Sequence, residues 1–291
     1  MRSLGKRVDS FDVVLNIFFI FVCMLMIYPF WFVIIGSLME YSEYAKSTFI
    51  FWPKSFNIDG YKFIWEQGQI FAPFWNTVLI TLVGTLVSLA FTAVAAYGLA
   101  RRFPGSKALY FLIILTMFID AGLIPLYVLY KNMGMINKMP VFIIPRLCNA
   151  FFLVVMRTHF LSFSSEIVES AEMDGCGHLR IFVQIVLPLS QAILATIALF
   201  YAVDYWNTFF TSVFFVYDAE KRTLQDYLYR IISNLSSDMS NNSAGGSSSN
   251  FVNNTAIQMG SVVIAVLPIL VVYPFLQSYF VKGVMIGSVK G

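Results

Sequence analysis

Apolar residues in this chain gather into long runs instead of alternating with polar ones. Six runs fall near 13–37, 76–100, 108–130, 140–156, 190–210 and 257–280, each close to the length an α-helix needs to cross about 30 Å of hydrocarbon. Hydrocarbon offers a backbone no hydrogen-bond partner, so spans of this kind are helical. The pattern predicts an all-α membrane protein, a single transmembrane domain over residues 1–291 with six transmembrane helices. The fourth run is the shortest and carries Arg146 and Asn149. The first follows Arg2, Lys6 and Arg7 in the manner of a secretory signal, but it is too long and no small-x-small cleavage site follows it. It reads as a retained span.

The gaps between runs differ in character. Residues 38–75 contain Tyr41, Tyr44, Trp52, Pro53, Tyr61 and Trp65, a mixture suited to the membrane surface or to packing over a bundle. The gap at about 211–256 is expected as a flexible extracellular loop, because SSDMSNNSAGGSSSN at 236–250 has too little apolar area to fold alone. Within it, TLQDYLYRII at 223–232 has apolar residues at helical spacing and predicts a short surface helix. The gap at 164–188 is polar and acidic, and residues 166–190 read EIVESAEMDGCGHLRIFVQIVLPLS.

Ser164 and Ser165 are helix-capping types, and Glu166, Glu169 and Glu172 follow at intervals of three, along one face of a helix and near its positive end. Gly175 is placed to stop that helix, since a left-handed terminal residue is cheap only for glycine. A second short helix over about 178–186 is expected to carry Leu179, Phe182 and Ile185 on one side and to end at Pro188. An amphipathic helix resting on an anionic leaflet would be rich in Lys and Arg, whereas this one is acidic. A protein partner suits it better.

Composition agrees with the run pattern. Hydrophobic residues make up 58% of the 291 and charged residues 12%, half the charged share of a soluble domain. A net charge of +3 with no basic run excludes a nucleic-acid partner. Cys23, Cys148 and Cys176 form neither a disulfide framework nor a CxxC pair, and His159 and His178 have no third ligand nearby, so no metal site is expected. The phosphate cradle GxxxxGK[ST] is absent, as are HExxH and GxSxG. Six spans place both chain ends on one side of the membrane. With the ends inside, ten of the 19 Lys and Arg lie on the inner side and nine outside, and Arg101, Arg102 and Lys107 sit beside span ends, where the bias counts most.

The loop carries a more specific pattern. Glu169-Ser170-Ala171, Asp174-Gly175 and Ile185-Val186-Leu187-Pro188 resemble, at matching spacing, the motif of the membrane subunits of ABC importers. Ser170 departs from the usual alanine by one small residue. AGLIPLYVLYKNMGMIN at 121–137, Trp206-Asn207 and the ending KGVMIGSVKG at 282–291 are similar to the carbohydrate-uptake branch, the maltose-type permeases and their oligosaccharide-importing relatives. The resemblance implies the six-span type I importer permease fold, with a cytoplasmic coupling helix between spans four and five that docks on an ATPase subunit. It implies that role for Glu169, Ser170, Ala171, Asp174, Gly175, Ile185, Leu187 and Pro188. It also implies a multi-pass protein of the bacterial cell membrane with both termini cytoplasmic. The implied partners are a second, homologous permease, two ATPase subunits and an extracellular sugar-binding protein. ATP and Mg would sit on the ATPase subunits, with no cofactor on this chain.

Polar groups inside spans are expensive in lipid and face cavities or other helices. Asp120, Tyr127, Asn149, Asp204, Trp206 and Asn207, with Arg146, are therefore the candidates for a substrate pathway. An indole beside amide and carboxylate groups suits a sugar, which needs an apolar platform and hydroxyl partners. The competing reading is structural: the charged groups pair, and Trp206-Asn207 locks helices together. Small residues at Gly84, Ala90, Ala93, Ala95, Ala96, Gly98 and Ala100 predict close helix approach in the second span. The leading function is thus an ATP-driven sugar importer's permease subunit, working by alternating access and not itself an enzyme. A permease of this class for another substrate stays open. So does a proton-coupled carrier using Asp120 or Asp204, although no internal repeat is visible. A membrane-embedded enzyme would need a clustered catalytic set, and none is visible.

Overall fold

The computed structural model describes residues 10–40, 43, 52–66, 70–101, 103–163, 165–242 and 255–272. The basic amino-terminal residues, Arg102, residues 243–250 of the Ser/Asn/Gly segment, the end of the sixth run and KGVMIGSVKG lie outside them. The described residues are mostly helical and contain one isolated antiparallel bridge, Met39 to Phe56.

Among the described residues, three helices are long and apolar enough to cross a membrane: α1, Ser10–Gly36, whose apolar stretch starts at Phe11; α3, Phe71–Ala100; and α13, Thr255–Val272. A short helix α2, Asp59–Glu66, precedes α3. Two bent pairs of helices are long and apolar enough only when each pair is taken together. Helices α6 (Pro140–Arg146) and α7 (Ala150–Leu161) meet at 46°, and α9 (His178–Leu189) meets α10 (Gln191–Trp206) at 83°. The acidic helix α8, Ser165–Met173, lies between these pairs.

Each break has a local cause. The expected third span is not continuous: α4, Ser106–Leu115, and α5, Leu123–Asn132, are separated by residues 116–122. There the Asp120 carboxylate accepts the Gly122 N–H at 3.0 Å, and Gly122 has φ +78°. Pro125 in the first turn of α5 would set its ring against the carbonyl of Ala121 if the helix ran on. The expected fourth span tightens to a 3₁₀ turn at Ile144–Arg146 around Pro145, and Asn149 restarts the helix as the cap of α7. In α9 a π-turn at Phe182–Val186 ends two residues before Pro188, whose missing N–H and ring displace the ordinary ladder. Ser190, at φ −102° and ψ 13°, makes the corner.

The described residues of the 211–256 gap include α11 (Phe210–Phe215), a 3₁₀ turn at Ala219–Lys221, and α12 (Leu224–Asn242), which runs well past the expected 223–232 helix. The reason is a buried anchor. Ser212 donates to Asp226 at 2.8 Å, Thr223 donates to the Thr208 carbonyl at 2.8 Å, and the Leu224 N–H reaches the Thr77 hydroxyl at 2.8 Å.

The chain divides into two compact units, residues 1–68 with 228–267 and residues 69–227 with 268–291. In the first, the Ser37 and Tyr61 hydroxyls meet at 2.6 Å, and Gly60 lies so close to Ala256 that a Cβ would come within 2.9 Å of its backbone. Most of α1 presents apolar side chains outward, as a lipid-facing helix does.

The second unit is organised by α3 against α10. Gly84, Ser88 and Thr92 repeat every four residues on α3 and form one stripe. Ser88 shares a 2.8 Å hydrogen bond with the Tyr205 hydroxyl, and Thr92 a 2.7 Å bond with Tyr201, both tyrosines being fully buried. At Gly84 the backbone rests on the Tyr205 ring, which a Cβ would approach to 2.7 Å. The small-residue stripe is used selectively, because Gly98 on the same helix has nothing within 4 Å of a built Cβ. Gly84→Leu is expected to destabilise the folded protein by about 1–3 kcal/mol. Gly98→Ala is expected to be neutral or stabilising by up to about 1 kcal/mol. Thermal unfolding of the two detergent-solubilised variants beside the parent measures the contrast, and equal losses would contradict the packing assignment.

Candidate functional site

Helix α8 ends in a Schellman turn. Gly175, at φ +77°, donates to the Glu172 carbonyl at 3.0 Å, and Cys176 donates to the Ala171 carbonyl at 3.0 Å. Ala171 is buried and Cys176 packs against the same core, supplying the apolar contact that accompanies this motif. The side chains of Glu166, Glu169 and Glu172 are exposed, as are Ser170 and Asp174. Ser164 lies outside the described residues. The result is an acidic helix fastened through its short residues with its carboxylates outward.

The second helix of the loop differs from expectation in its inward face. Ile181, Phe182 and Val186 are buried and Ile185 is half-buried, whereas Leu179 is 77% exposed. The wide turn rotates the residues after Phe182, so a regular helical wheel misassigns them. Leu187 is half-buried and Pro188 exposed, and the helix continues through Pro188 to Leu189. Met173, 88% exposed, and Leu179 leave two apolar side chains displayed on either side of the Gly175 turn.

Sequence reading missed the group that holds this loop to the bundle. Arg101, the residue that closes α3, hydrogen-bonds Glu172 and reaches His178 Nδ1 at 2.7 Å. A guanidinium only donates, so Nδ1 accepts and the ring proton sits on Nε2. His178 Nδ1 lies 3.6 Å from the Glu172 carboxylate. The hydrogen bond from Arg101 holds the Glu172 carboxyl below the usual carboxylate range, with the charge of Arg101 adding to it. Beside it, Arg157 donates to the Leu99 carbonyl at 3.3 Å and lies 4.0 Å over the Tyr110 ring, tying α7 to α3 and α4. A groove of about 470 Å³, bordered by Tyr97, Arg101, Phe160, Val168, Glu169 and Glu172, opens between α3, α7 and α8. Arg101 is separated from Glu172 by 71 positions and from His178 by 77. No periodicity or spacing in the sequence signals such pairs.

The pathway candidates divide. Arg146 and Asp204 form an ion pair at 3.2 Å, and Arg146 also donates to Thr208 at 2.9 Å. Asp204 remains 52% exposed. Asp120 sits exposed in the α4–α5 break. Tyr127 is exposed and stacks on Phe215 at 6.1 Å. Asn149, by contrast, uses its side-chain oxygen on the N–H groups of Phe151 and Phe152, and its own N–H donates to Tyr201 at 3.0 Å. Trp206 is buried, edge-on to Phe74 at 6.4 Å, which is the helix-locking role. Asn207 is exposed and bonds back to the Val203 carbonyl at 2.9 Å.

Comparison with known proteins gives concordant results. Residues 88–286 match the family described as binding-protein-dependent transport system inner membrane component. The polygalacturonan/rhamnogalacturonan transport system permease protein YtcP of Bacillus subtilis (strain 168) is 37% identical over 97% of this chain and 98% of its own. The melibiose/raffinose/stachyose import permease protein MelC of the same organism is 32% identical over 90% and 91%. Among solved structures, a bacterial ABC transporter involved in the import of the acidic polysaccharide alginate matches with a TM-score of 0.83 and 26% identity, covering 96% of this chain and 100% of that one. An outward acidic helix on an apolar bundle, with no nucleotide cradle of its own, fits these relatives. The chain belongs to the binding-protein-dependent transport inner-membrane component family: it is the non-catalytic, membrane-embedded permease of an ABC importer that works with a partner permease, an ATPase and a binding protein.

Proposed function

We propose that this permease translocates an oligosaccharide across the bacterial cell membrane by alternating access, and that α8 receives the ATPase's movement. The observation that carries the coupling role is α8 itself, a helix with outward carboxylates closed by a left-handed Gly175. Glu169, Ser170, Ala171, Asp174 and Gly175 form the docking element. Ile185, Leu187 and Pro188 shape its return into the bilayer. The sugar assignment is supported by relatives named for polygalacturonan/rhamnogalacturonan, for melibiose/raffinose/stachyose and for alginate.

In this reading the chain spans the membrane six times, the α4–α5 segment included, with both termini cytoplasmic. It pairs with a second, homologous permease and sits on two ATPase subunits that hold ATP and Mg, while an extracellular sugar-binding protein delivers cargo. Lipid meets the outward faces of α1 and α3. Asp204 with Arg146, Asp120 and Tyr127 line the pathway. The support is energetic: a charged pair that is half exposed within a span belongs beside water or a partner and not in hydrocarbon. Asn149, Trp206 and Asn207 shape that pathway through the helices they hold.

Gly175→Val and Glu169→Lys are expected to abolish uptake in cells that depend on this permease, with membrane levels unchanged. Gly177→Ala, at an ordinary φ of −70° and with nothing within 4 Å, is expected to leave uptake intact. Uptake of labelled galacturonate oligomers, arabino-oligosaccharides, raffinose and alginate oligomers reads both the coupling role and the cargo. Undiminished uptake in both loop variants would refute the coupling role. If the parent takes up none of these sugars while a non-sugar solute enters in an ATP-dependent way, the cargo assignment fails.

A further inference from the structure

The coupling loop has two connections to the bundle, and they differ in stiffness. One is the chain itself, which runs from α8 through the Gly175 turn, the π-turn at Phe182–Val186 and the 83° corner at Ser190 before it reaches α10. Glycine in a left-handed turn, a wide turn ahead of a proline and a sharp corner are each places where a helix yields. Ser190 adds to this, since its hydroxyl is buried without a hydrogen-bond partner. A push on α8 travelling only by this route would be partly absorbed in bending.

The other connection is Arg101. Its backbone N–H closes the last turn of α3 on the carbonyls of Tyr97 and Gly98, at 3.3 and 3.2 Å. Its guanidinium lies 5.8 Å from the Tyr97 ring centroid on the preceding turn. From that position it hydrogen-bonds Glu172 in the last turn of α8 and, at 2.7 Å, His178 at the first turn of α9. One side chain thus joins the helices on both sides of the Gly175 turn to the end of α3. Helix α3 is in turn bound to α10 by the Ser88–Tyr205 and Thr92–Tyr201 bonds. Loop, α3 and α10 therefore close into a triangle whose third side is Arg101.

We infer that Arg101 is a positioning residue for energy coupling: it braces the coupling loop against the inner end of α3, so that movement of α8 displaces α3 and α10 together. This rests on the coupling role proposed above for α8. Arg101 touches neither substrate nor nucleotide; it acts through Glu172 and His178. The predicted consequence of its loss is slippage, in which ATP hydrolysis continues while the bundle no longer follows the loop.

The test uses the whole complex, with partner permease and ATPase subunits, in proteoliposomes. Nitroxide labels are placed on Leu82→Cys in α3 and Val183→Cys in α9, both exposed positions, in a background where Cys23, Cys148 and Cys176 are serine. With Arg101 present, the label-to-label distance is expected to be single, narrow and the same in the nucleotide-free and ATP–vanadate-trapped states. Arg101→Ala is expected to broaden or shift it in the trapped state, with ATP hydrolysis retained. The charge exchange Arg101→Glu with Glu172→Arg is expected to restore the narrow distance, a rescue that a purely structural loss would not give. Where Arg101→Ala fails to assemble, Glu172→Ala with His178→Ala removes both partners of the guanidinium and is read the same way. A trapped-state distance unchanged by loss of the pair overturns the brace, as does a parent distance that itself shifts on trapping. Absence of ATP hydrolysis by the parent complex would instead count against the coupling role of α8, which keeps the two failures apart.

Discussion

The contact on which the second unit depends is the seam between α3 and α10. In lipid, no hydrophobic gain favours one helix beside another, because a neighbouring acyl chain is as apolar as a leucine. Association rests on close approach and on polar bonds that lipid cannot replace. Gly84 supplies the approach and Ser88 and Thr92 the bonds. Each such bond is modest, about 0.6 kcal/mol on average in membrane proteins. Their spacing also fixes the register, because Tyr201 and Tyr205 stand one turn apart and meet hydroxyls that are likewise one turn apart. A slip by one residue would lose both bonds and drive a Cβ into the Tyr205 ring. Once that register is set, Tyr201 also receives the Asn149 N–H, which places the start of α7.

The seam also explains why irregular backbone is tolerated nearby. The α6–α7 bend, the corner at Ser190 and the α4–α5 break all interrupt helical ladders within apolar stretches of the chain. Such interruptions survive only where protein or water satisfies the exposed groups. Asn149 caps α7 with its side chain, Asp120 accepts the Gly122 N–H, and Arg146 covers the Asp204 carbonyl at 3.3 Å. Polar residues inside the apolar runs thus do two jobs here. Asn149 and Trp206 are absorbed into structure, while Asp204 and Asp120 keep exposed polar atoms.

Much of this was legible from the order of residues alone. Run length gave the helical membrane class, and the acidic stretch with Gly175 gave a helix ending in a left-handed turn. Both are local properties of the chain. What the order of residues does not show lies in packing and non-local contacts. Leu179 stands three residues before Phe182, a spacing that puts both on one face, yet packing centres the inward face of α9 on Ile181 and Phe182 and leaves Leu179 outside. The 211–256 gap looked soft by composition, yet Thr223, Leu224 and Asp226 are buried by partners on α3 and α11. Arg101 entered only as an inner-side charge; its importance lies in two residues more than seventy positions away.

A permease of this kind must be stiff where force is transmitted and yielding where helices change tilt. The two requirements are separated along the same stretch of chain. Gly175, the π-turn and Ser190 are the yielding points, and all lie on the covalent path from α8 to α10. The stiff contacts are side-chain contacts across that path: Arg101 to Glu172 and His178, Arg157 to Leu99, and the tyrosine seam. A bundle braced only by its chain would bend at the corner and leave α3 behind. One braced only by side chains could not change the angle between α9 and α10 at all. In the coupling role proposed for α8, having both would let the loop carry the adjoining ends of α3 and α10 as a body while the corner at Ser190 accommodates the rotation.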